Sequence, residues 1–249
     1  MSVFQEREVE NMETGKMLYE GKAKKMFETS DPGILLIEYK NSLTAFNAQK
    51  KAEMEGKGRY NTLISAWLFE YLSGKGIPSH FIELVDDNHQ LVRRVQILPI
   101  EVVVRNITTG TLCKRLGVAE GIKLPRPLVE FYLKDDALGD PLITEDHALL
   151  FGWANRDEIE TIKTESLSVN SVLSELFLDK GIILVDFKLE FGRDSEGRVL
   201  LADEISPDTC RFWDVETGAR LDKDRFRKDL GDVLGAYREI WKRLSGREE

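Results

Sequence analysis

The chain has 249 residues, enough for one large domain or for two lobes that share a cleft. Hydrophobic residues make up 42% and charged residues 32%, the balance of an ordinary globular protein. A net charge of −9 excludes broad nucleic-acid binding, which needs basic surface to displace counterions, but leaves room for a local basic pocket around a small phosphorylated ligand.

Residues 1–15, "MSVFQEREVENMETG", are polar and acidic with no apolar h-region, so they read as a flexible arm and not as a signal peptide. From Met17 the chain alternates strand-like runs with turns, "KMLYEGKAKKMFET" and then "GILLIEYK" after Asp31-Pro32-Gly33. A helix follows from Asn61 to Ser73, with Leu63, Ile64, Trp67, Leu68, Tyr71 and Leu72 on one stripe. Gly74 and Gly76 stop it, with Pro78 just beyond. Strands return in "HFIELVD", "QLVRRVQI" and "IEVVVRN", and a short helix begins near Gly110. The second half predicts a helix from Arg156 to about Asp179 and a hairpin from Ile182 to about Glu204, with its turn in "RDSEGR". A last helix runs from about Asp224 to Leu244, burying Phe226, Leu230, Val233, Leu234, Tyr237, Ile240, Trp241 and Leu244. With strands dominating the first third and helices the rest, the class is α+β. A strand-rich lobe over residues 1–97 packs on a mixed lobe over 98–249, leaving a ligand cleft between them. Cys113 and Cys210 are far apart and form no CxxC pair, so two free thiols in a reducing cytosol are expected. No apolar run approaches the ~20 residues of a membrane helix, and the expected location is the cytoplasm.

The stretch "LVDFKLEFG", Leu184–Gly192, carries a contradiction. Strand alternation puts Asp186, Lys188 and Glu190 on one face, while Val185, Phe187, Leu189 and Phe191 share the other. A solvated strand surface, with Lys188 bridging two carboxylates, is one explanation. The second arm, "VLLADEISPDTCR", supplies another: a turn centred on Glu196-Gly197 places Glu190 opposite Asp203. Facing carboxylates destabilise a hairpin unless a positive charge lies between them. Two hard oxygen ligands suit a Mg²⁺ that carries nucleotide phosphates. Asp186, Lys188, Glu190 and Asp203 also follow the order in which protein kinases space an Asp, a Lys and two metal ligands.

Two further segments suit anions. "YEGKAKKMFE" sets Gly21 beside Lys22 and Lys24, so that backbone and ammonium groups could cover ATP phosphates. It is neither a P-loop nor a GxGxxG fingerprint. "ILPIEVVVRNITTGTLCKRLG" ends a strand at Arg105 and adds Thr111 at a helix start, and Arg211 follows the second hairpin arm; together these could hold a phosphate. Surface ion pairs explain either arginine equally well. His80, His89 and His147 form no close group, which leaves zinc or Ser-His-Asp chemistry without support.

At this point the chain resembles the SAICAR synthetase family of purine biosynthesis, from about Leu18 to Leu244. "LPIEVVVRNITTGT" and "LVDFKLEFG" are the most specific stretches; "YEGKAKKMF", "YLKDDALGDP" and "LLADEISPDTCRFWD" agree with them. The resemblance implies an ATP-dependent ligase that joins L-aspartate to carboxyaminoimidazole ribotide (CAIR), giving SAICAR, ADP and phosphate. It implies a two-lobed ATP-binding fold like those of kinases and ATP-grasp enzymes, a requirement for Mg²⁺, and a homo-oligomer. By the same resemblance Glu190 and Asp203 would hold Mg²⁺, and Lys22 and Lys24, beside Gly21, would contact ATP phosphates. Adenine would meet backbone near Arg94 to Gln96, where the two lobes join. Arg105, Thr111 and Arg211 would hold the ribotide phosphate, while Lys134 and Asp140 would border the CAIR or aspartate pocket. Lys188 and Asp186 would lie at the reacting carboxylate, with Asp186 orienting the aspartate amine or taking its proton. Two departures stand out: Thr109-Gly110-Thr111 replaces Ala-Gly-Ser, which keeps a hydroxyl, and Ala48 replaces a glycine frequent in relatives. A small-molecule or lipid kinase and a non-catalytic nucleotide sensor are the competing readings. Dependence of ADP release on aspartate separates them.

Overall fold

The structure is a computed structural model that describes residues 15–45 and 50–247. Most of the proposed N-terminal arm and Ala48 lie outside the described residues. Five antiparallel strands, β1 (Met17–Glu20), β2 (Lys24–Glu28), β3 (Ile34–Tyr39), β6 (Phe81–Leu84) and β7 (His89–Arg93), form the first sheet in the order β1-β2-β3-β7-β6. A ribbon of β4 (Ser42–Ala45) and β5 (Lys50–Glu53) and helix α1 (Lys57–Gly74) are inserted between β3 and β6.

The second sheet takes the order β10-β9-β8-β11-β12, from β8 (Gln96–Ile107), β9 (Lys123–Leu133), β10 (Leu142–Ile143), β11 (Ile182–Arg193) and β12 (Val199–Ala202). A sixth strand, β13 (Cys210–Asp214), also pairs with β11. Helices α2 (Gly110–Leu116), α3 (Glu145–Leu150), α4 (Arg156–Asp179), α5 (Asp224–Arg227) and α6 (Val233–Ser245) complete the chain. The larger sheet thus lies in the second part, where helices were expected to dominate; the α+β class stands. No helix among the described residues is long and apolar enough to cross a membrane.

The main core joins α1, α4 and α6 to the second sheet. Phe187, Leu189 and Phe191, the predicted apolar face of β11, lie in it beside Leu173 and Phe177 of α4. Met26, Leu35, Ile37 and Val92 belong to a smaller, separate cluster on the first sheet, so their face is available to line a cleft.

Helix α4 occupies the expected span because Asn155 caps it: its Oδ1 accepts from Glu158 at 2.9 Å, and Glu158 returns the bond to the Asn155 N–H at 2.7 Å. Three expectations shift. Helix α1 starts a turn early, at Lys57, where the buried first turn is polar and carries no apolar signal. The last helix is broken over residues 228–232 by positive φ at Asp229, Gly231 and Asp232. Asp232 then caps α6 by accepting from Gly235, and Leu230 is left exposed.

The hairpin register also differs by one residue. Glu190 pairs with Ala202, not Asp203. Asp194 accepts from the N–H groups of both Glu196 and Arg198 at 2.9 Å, and Gly197 sits at φ 79°, so the turn centres on Glu196. Asp203 lies beyond the strand end at φ 60°, a bend that brings its carboxylate back to the charged face.

Candidate active site

One face of the second sheet carries the charges. In the β8–β11 ladder Glu190 faces Glu101, Lys188 faces Val103 and Asp186 faces Arg105. On the other side of β11, Asp186 pairs with Arg211. Alternation along three neighbouring strands therefore builds an ionic surface directly behind an apolar core. The repulsion inferred from the hairpin is real, but the partner of Glu190 across the ladder is Glu101. Strand alternation of "IEVVVRN" held that signal, since Glu101, Val103 and Arg105 share a face.

Lys188 answers the repulsion. Its ammonium lies 2.6 Å from Glu190, 3.1 Å from Asp203 and 3.4 Å from Glu101. Burial opposes its charge, but Asp203, Glu190 and Glu101 outweigh that and raise its affinity for the proton well above the usual lysine range. Lys134 reaches Glu190 at 2.7 Å. From the first sheet Lys24 pairs with Asp203 and lies 3.5 Å from Glu204. Burial works against the Asp203 carboxylate, yet Lys188 and Lys24 hold its pKa below the ordinary range. Glu101 moves the other way: burial pushes it up, against the pull of Lys188.

These groups border a cleft of about 520 Å³ between the two sheets. Gly21, Lys22, Lys24, Lys134, Asp140, Lys188, Glu190 and Asp203, all expected at the site, line it together with Glu101 and Glu204. Lys22 meets Asp136 across the mouth at 2.5 Å. The far end is apolar, formed by Met26, Leu35, Ile37, Val92, Val95 and Ile97. A cavity charged at one end and apolar at the other suits a phosphorylated ligand with a flat base. Arg94 and Gln96 do not line it: both side chains open onto a separate groove beside Arg193 and Arg198, and the Arg94 N–H donates to the Gly33 carbonyl at 2.7 Å. Val95, between them, borders both the cleft and that groove.

A second cavity, of about 160 Å³, lies on the other side of Lys188 and is lined by Arg105, Asp186, Arg211 and Arg227. Asp186 is 3% exposed and clamped by both arginines, at 2.7 Å from Arg105 and 2.9 Å from Arg211. Arg105 also donates to Glu130 at 2.7 Å and to the Thr111 hydroxyl at 3.1 Å. Arg211 donates to Asp224 at 3.0 Å. Held between two guanidinium groups, Asp186 is placed to anchor both arginines. Glu130, Tyr132 and Asp224 complete the clamp, and nothing in their local sequence marked them.

The histidines remain apart from one another: His80 is buried at the cleft wall, His89 pairs with Asp86, and His147 caps α3. Cys113 and Cys210 are free thiols.

The sequence matches the family model described as SAICAR synthetase over residues 17–244. It is 57% identical over 233 residues to the phosphoribosylaminoimidazole-succinocarboxamide synthase of Desulfitobacterium hafniense strain Y51, covering 94% of this chain and 98% of that one. The Bacillus subtilis strain 168 protein of the same name is 55% identical over 236 residues, with 95% and 98% covered. Among solved structures, the Ehrlichia chaffeensis synthase superposes with a TM-score of 0.91 at 47% identity, covering 94% of this chain and all of that one. A SAICAR synthetase described as type 2, in complex with ADP, superposes with a TM-score of 0.90 at 49% identity, covering 93% and 98%. Motif order, two-sheet fold and full-length similarity agree, and the chain belongs to the SAICAR synthetase family, ATP-dependent ligases that join L-aspartate to CAIR.

Proposed function

We propose that the two cavities are the ATP site and the CAIR site of this ligase and that Lys188 stands where they meet. The observation that carries the reading is that Lys188 lines both cavities, so a phosphoryl donor on one side and an acceptor carboxylate on the other converge on a single ammonium. In this reading adenine packs in the apolar end against Val95, and Gly21, Lys22 and Lys24 meet the phosphates. Arg105, Thr111 and Arg211 receive the ribotide phosphate, and Lys134 and Asp140 border the aspartate at the cleft mouth. A boundary near residue 97 between an ATP-side lobe and a CAIR-side lobe belongs to the same proposal.

Glu190 and Asp203 are the residues that would hold Mg²⁺. Both offer hard anionic oxygens to one point, now marked by the Lys188 ammonium. Among the described residues no group of three His, Cys, Asp or Glu side chains converges as a cage. That fits Mg²⁺, which commonly takes one or two carboxylates and completes its shell with phosphate and water. When bound it neutralises charge on the phosphates.

An unactivated carboxylate resists amine attack because its charge repels the nucleophile and oxide is a poor leaving group. A CAIR carboxylate oxygen attacks the γ-phosphorus, and the bond to ADP breaks, giving an acyl phosphate and ADP. The aspartate amine then attacks the acyl carbon, phosphate leaves with the C–O bonding pair, and the proton shed by the nitrogen passes to that phosphate. Lys22, Lys24 and Lys188 offset charge on the transferring group. Holding the partners in line contributes up to about 7–11 kcal/mol. Asp186 acts indirectly, by positioning Arg105 and Arg211. The cytoplasm and a homo-oligomer complete the reading, on composition and family resemblance respectively; light scattering measures the latter.

The test follows ADP release with ATP, Mg²⁺ and CAIR, with and without L-aspartate. SAICAR formation that requires aspartate is expected. Aspartate-independent phosphorylation of a hydroxyl would indicate a kinase, and ATP binding without turnover a sensor.

A further inference from the structure

Glu120 stands in the loop between α2 and β9 and lines neither cavity, yet three side chains donate to its carboxylate. The Thr109 hydroxyl donates at 2.6 Å, Arg220 at 3.2 Å, and Lys228 at 3.1 and 3.4 Å to the two oxygens. The loop that carries Glu120 is fixed by its backbone. The Thr108 hydroxyl donates to the Ala119 carbonyl at 2.8 Å, and the Gly121 N–H donates to the Thr108 carbonyl at 2.8 Å. Thr109 directly precedes α2, where a threonine hydroxyl ordinarily accepts from the first turn, but it makes no such capping bond. Its hydroxyl serves Glu120 instead.

The segments that meet at Glu120 are the two walls of the small cavity. Thr109 leads into Gly110 and Thr111 on one side. On the other, Arg220 precedes α5 and Lys228 follows it. Within α5, Asp224 accepts from Arg211 at 3.0 Å and from Arg227 at 2.7 Å, and both arginines line the cavity. A helix of four residues does not hold itself in place, so contacts from outside must position it. Lys50 supplies one from the β4–β5 ribbon, donating to the Phe226 carbonyl at 2.6 Å. Glu120 supplies the one that reaches back to the start of α2. Its partner Arg220 is steadied in turn by the Trp213 ring, 4.4 Å from the guanidinium.

We propose that Glu120 is a positioning residue for the ribotide phosphate: by fastening Thr109 to both flanks of α5, it sets Thr111 opposite Arg211 and Arg227. This role rests on the small cavity being the CAIR site. An anion that must touch both walls binds more tightly when their spacing is fixed before it arrives, because less ordering remains to be done on binding.

The experiment measures kcat and the KM values for CAIR and ATP in the wild type, Glu120→Gln, Thr109→Ala, Thr109→Ser and Arg211→Lys. Glu120→Gln keeps an acceptor for Thr109 but loses the charge that draws Lys228 and Arg220. Its KM for CAIR is expected to rise about 5-fold, the scale of one charged network, while kcat and the KM for ATP stay within about twofold. Thr109→Ala should raise the CAIR KM as well, and Thr109→Ser, which keeps the donor, should restore it. A contact that serves stability alone would lower Tm without singling out CAIR. An unchanged CAIR KM in Glu120→Gln, an equal rise for CAIR and ATP, or a Thr109→Ser that behaves like Thr109→Ala overturns the proposal. Arg211→Lys tests the pocket separately. A raised CAIR KM there, with none in Glu120→Gln, overturns the Glu120 role alone. An unchanged CAIR KM in Arg211→Lys overturns the CAIR-site reading itself.

Discussion

At the residue scale the charged face of β11 works by substitution of one cation for another. Lys188 now balances Glu190, Asp203 and Glu101, and the proposed metal site uses the oxygens of the first two. Glu190→Gln and Asp203→Asn are therefore expected to lower kcat about 100-fold or more while circular dichroism shows an intact fold. Loss of folding in both would mark the cluster as a structural ion network instead. Asp222 shows how burial, helped by a neighbouring carboxylate, sets a proton affinity. Buried beside Asp224, its carboxyl is pushed up to about 7. The folded chain then binds that proton more tightly than the unfolded chain, whose aspartate titrates near ~3.9. This contribution to stability is full below ~pH 4 and is lost as pH rises through about 7. Denaturant titrations should show wild type losing about 2–3 kcal/mol more than Asp222→Asn between pH 5 and pH 8. Equal losses would place the titration elsewhere.

At the element scale, short turns position what long elements carry. Helix α2 begins at Gly110, whose φ of 57° suits glycine; a Cβ there would lie 2.7 Å from Nη2 of Arg211. Gly110→Ala should displace the guanidinium and raise KM for CAIR about 10-fold, the effect of roughly 1.4 kcal/mol, with a smaller change in kcat. An unchanged KM would remove Arg211 from the proposed phosphate site. The hairpin teaches a related lesson. Face assignment by alternation held for every residue from Asp186 to Phe191, yet the register moved by one because Asp194 took two backbone N–H groups into the turn. Turn chemistry of that kind involves a side chain folding back on its own backbone, which an apolar–polar pattern does not encode. The broken last helix has the same origin: its apolar spacing runs on through a segment where Gly231 and Asp232 leave the helical region.

At the scale of the whole molecule the two sheets are joined in two ways. Behind the cleft, α1 packs with α6 and the second sheet in one hydrophobic core. Across the cleft Lys24 pairs with Asp203 and Lys22 with Asp136, beside a backbone link in which the His80 N–H donates to the Leu201 carbonyl at 2.8 Å. An apolar hinge holds regardless of ligand, whereas the ionic contacts can be traded for phosphates. Saturating ADP with Mg²⁺ should therefore raise Tm: about 2.7 kcal/mol at 100 times Kd, or roughly 5–10 °C for a chain of this size. ADP without Mg²⁺ should give a much smaller shift. Equal shifts would show that Glu190 and Asp203 do not serve a metal.

The sequence by itself determined the class, the long helix α4, the two faces of β11 and the residues that gather at the cleft, because periodicity and capping act over a few neighbouring residues. Distinctive motifs did the rest, since they carry the family in their order. Only the tertiary structure decided that Glu101 faces Glu190, that Asp186 is locked between Arg105 and Arg211, and that Val95, not Arg94 or Gln96, borders the cleft. Those facts depend on which strands lie side by side and in what register. Such pairing is a property of distant segments meeting, and no local pattern fixes it.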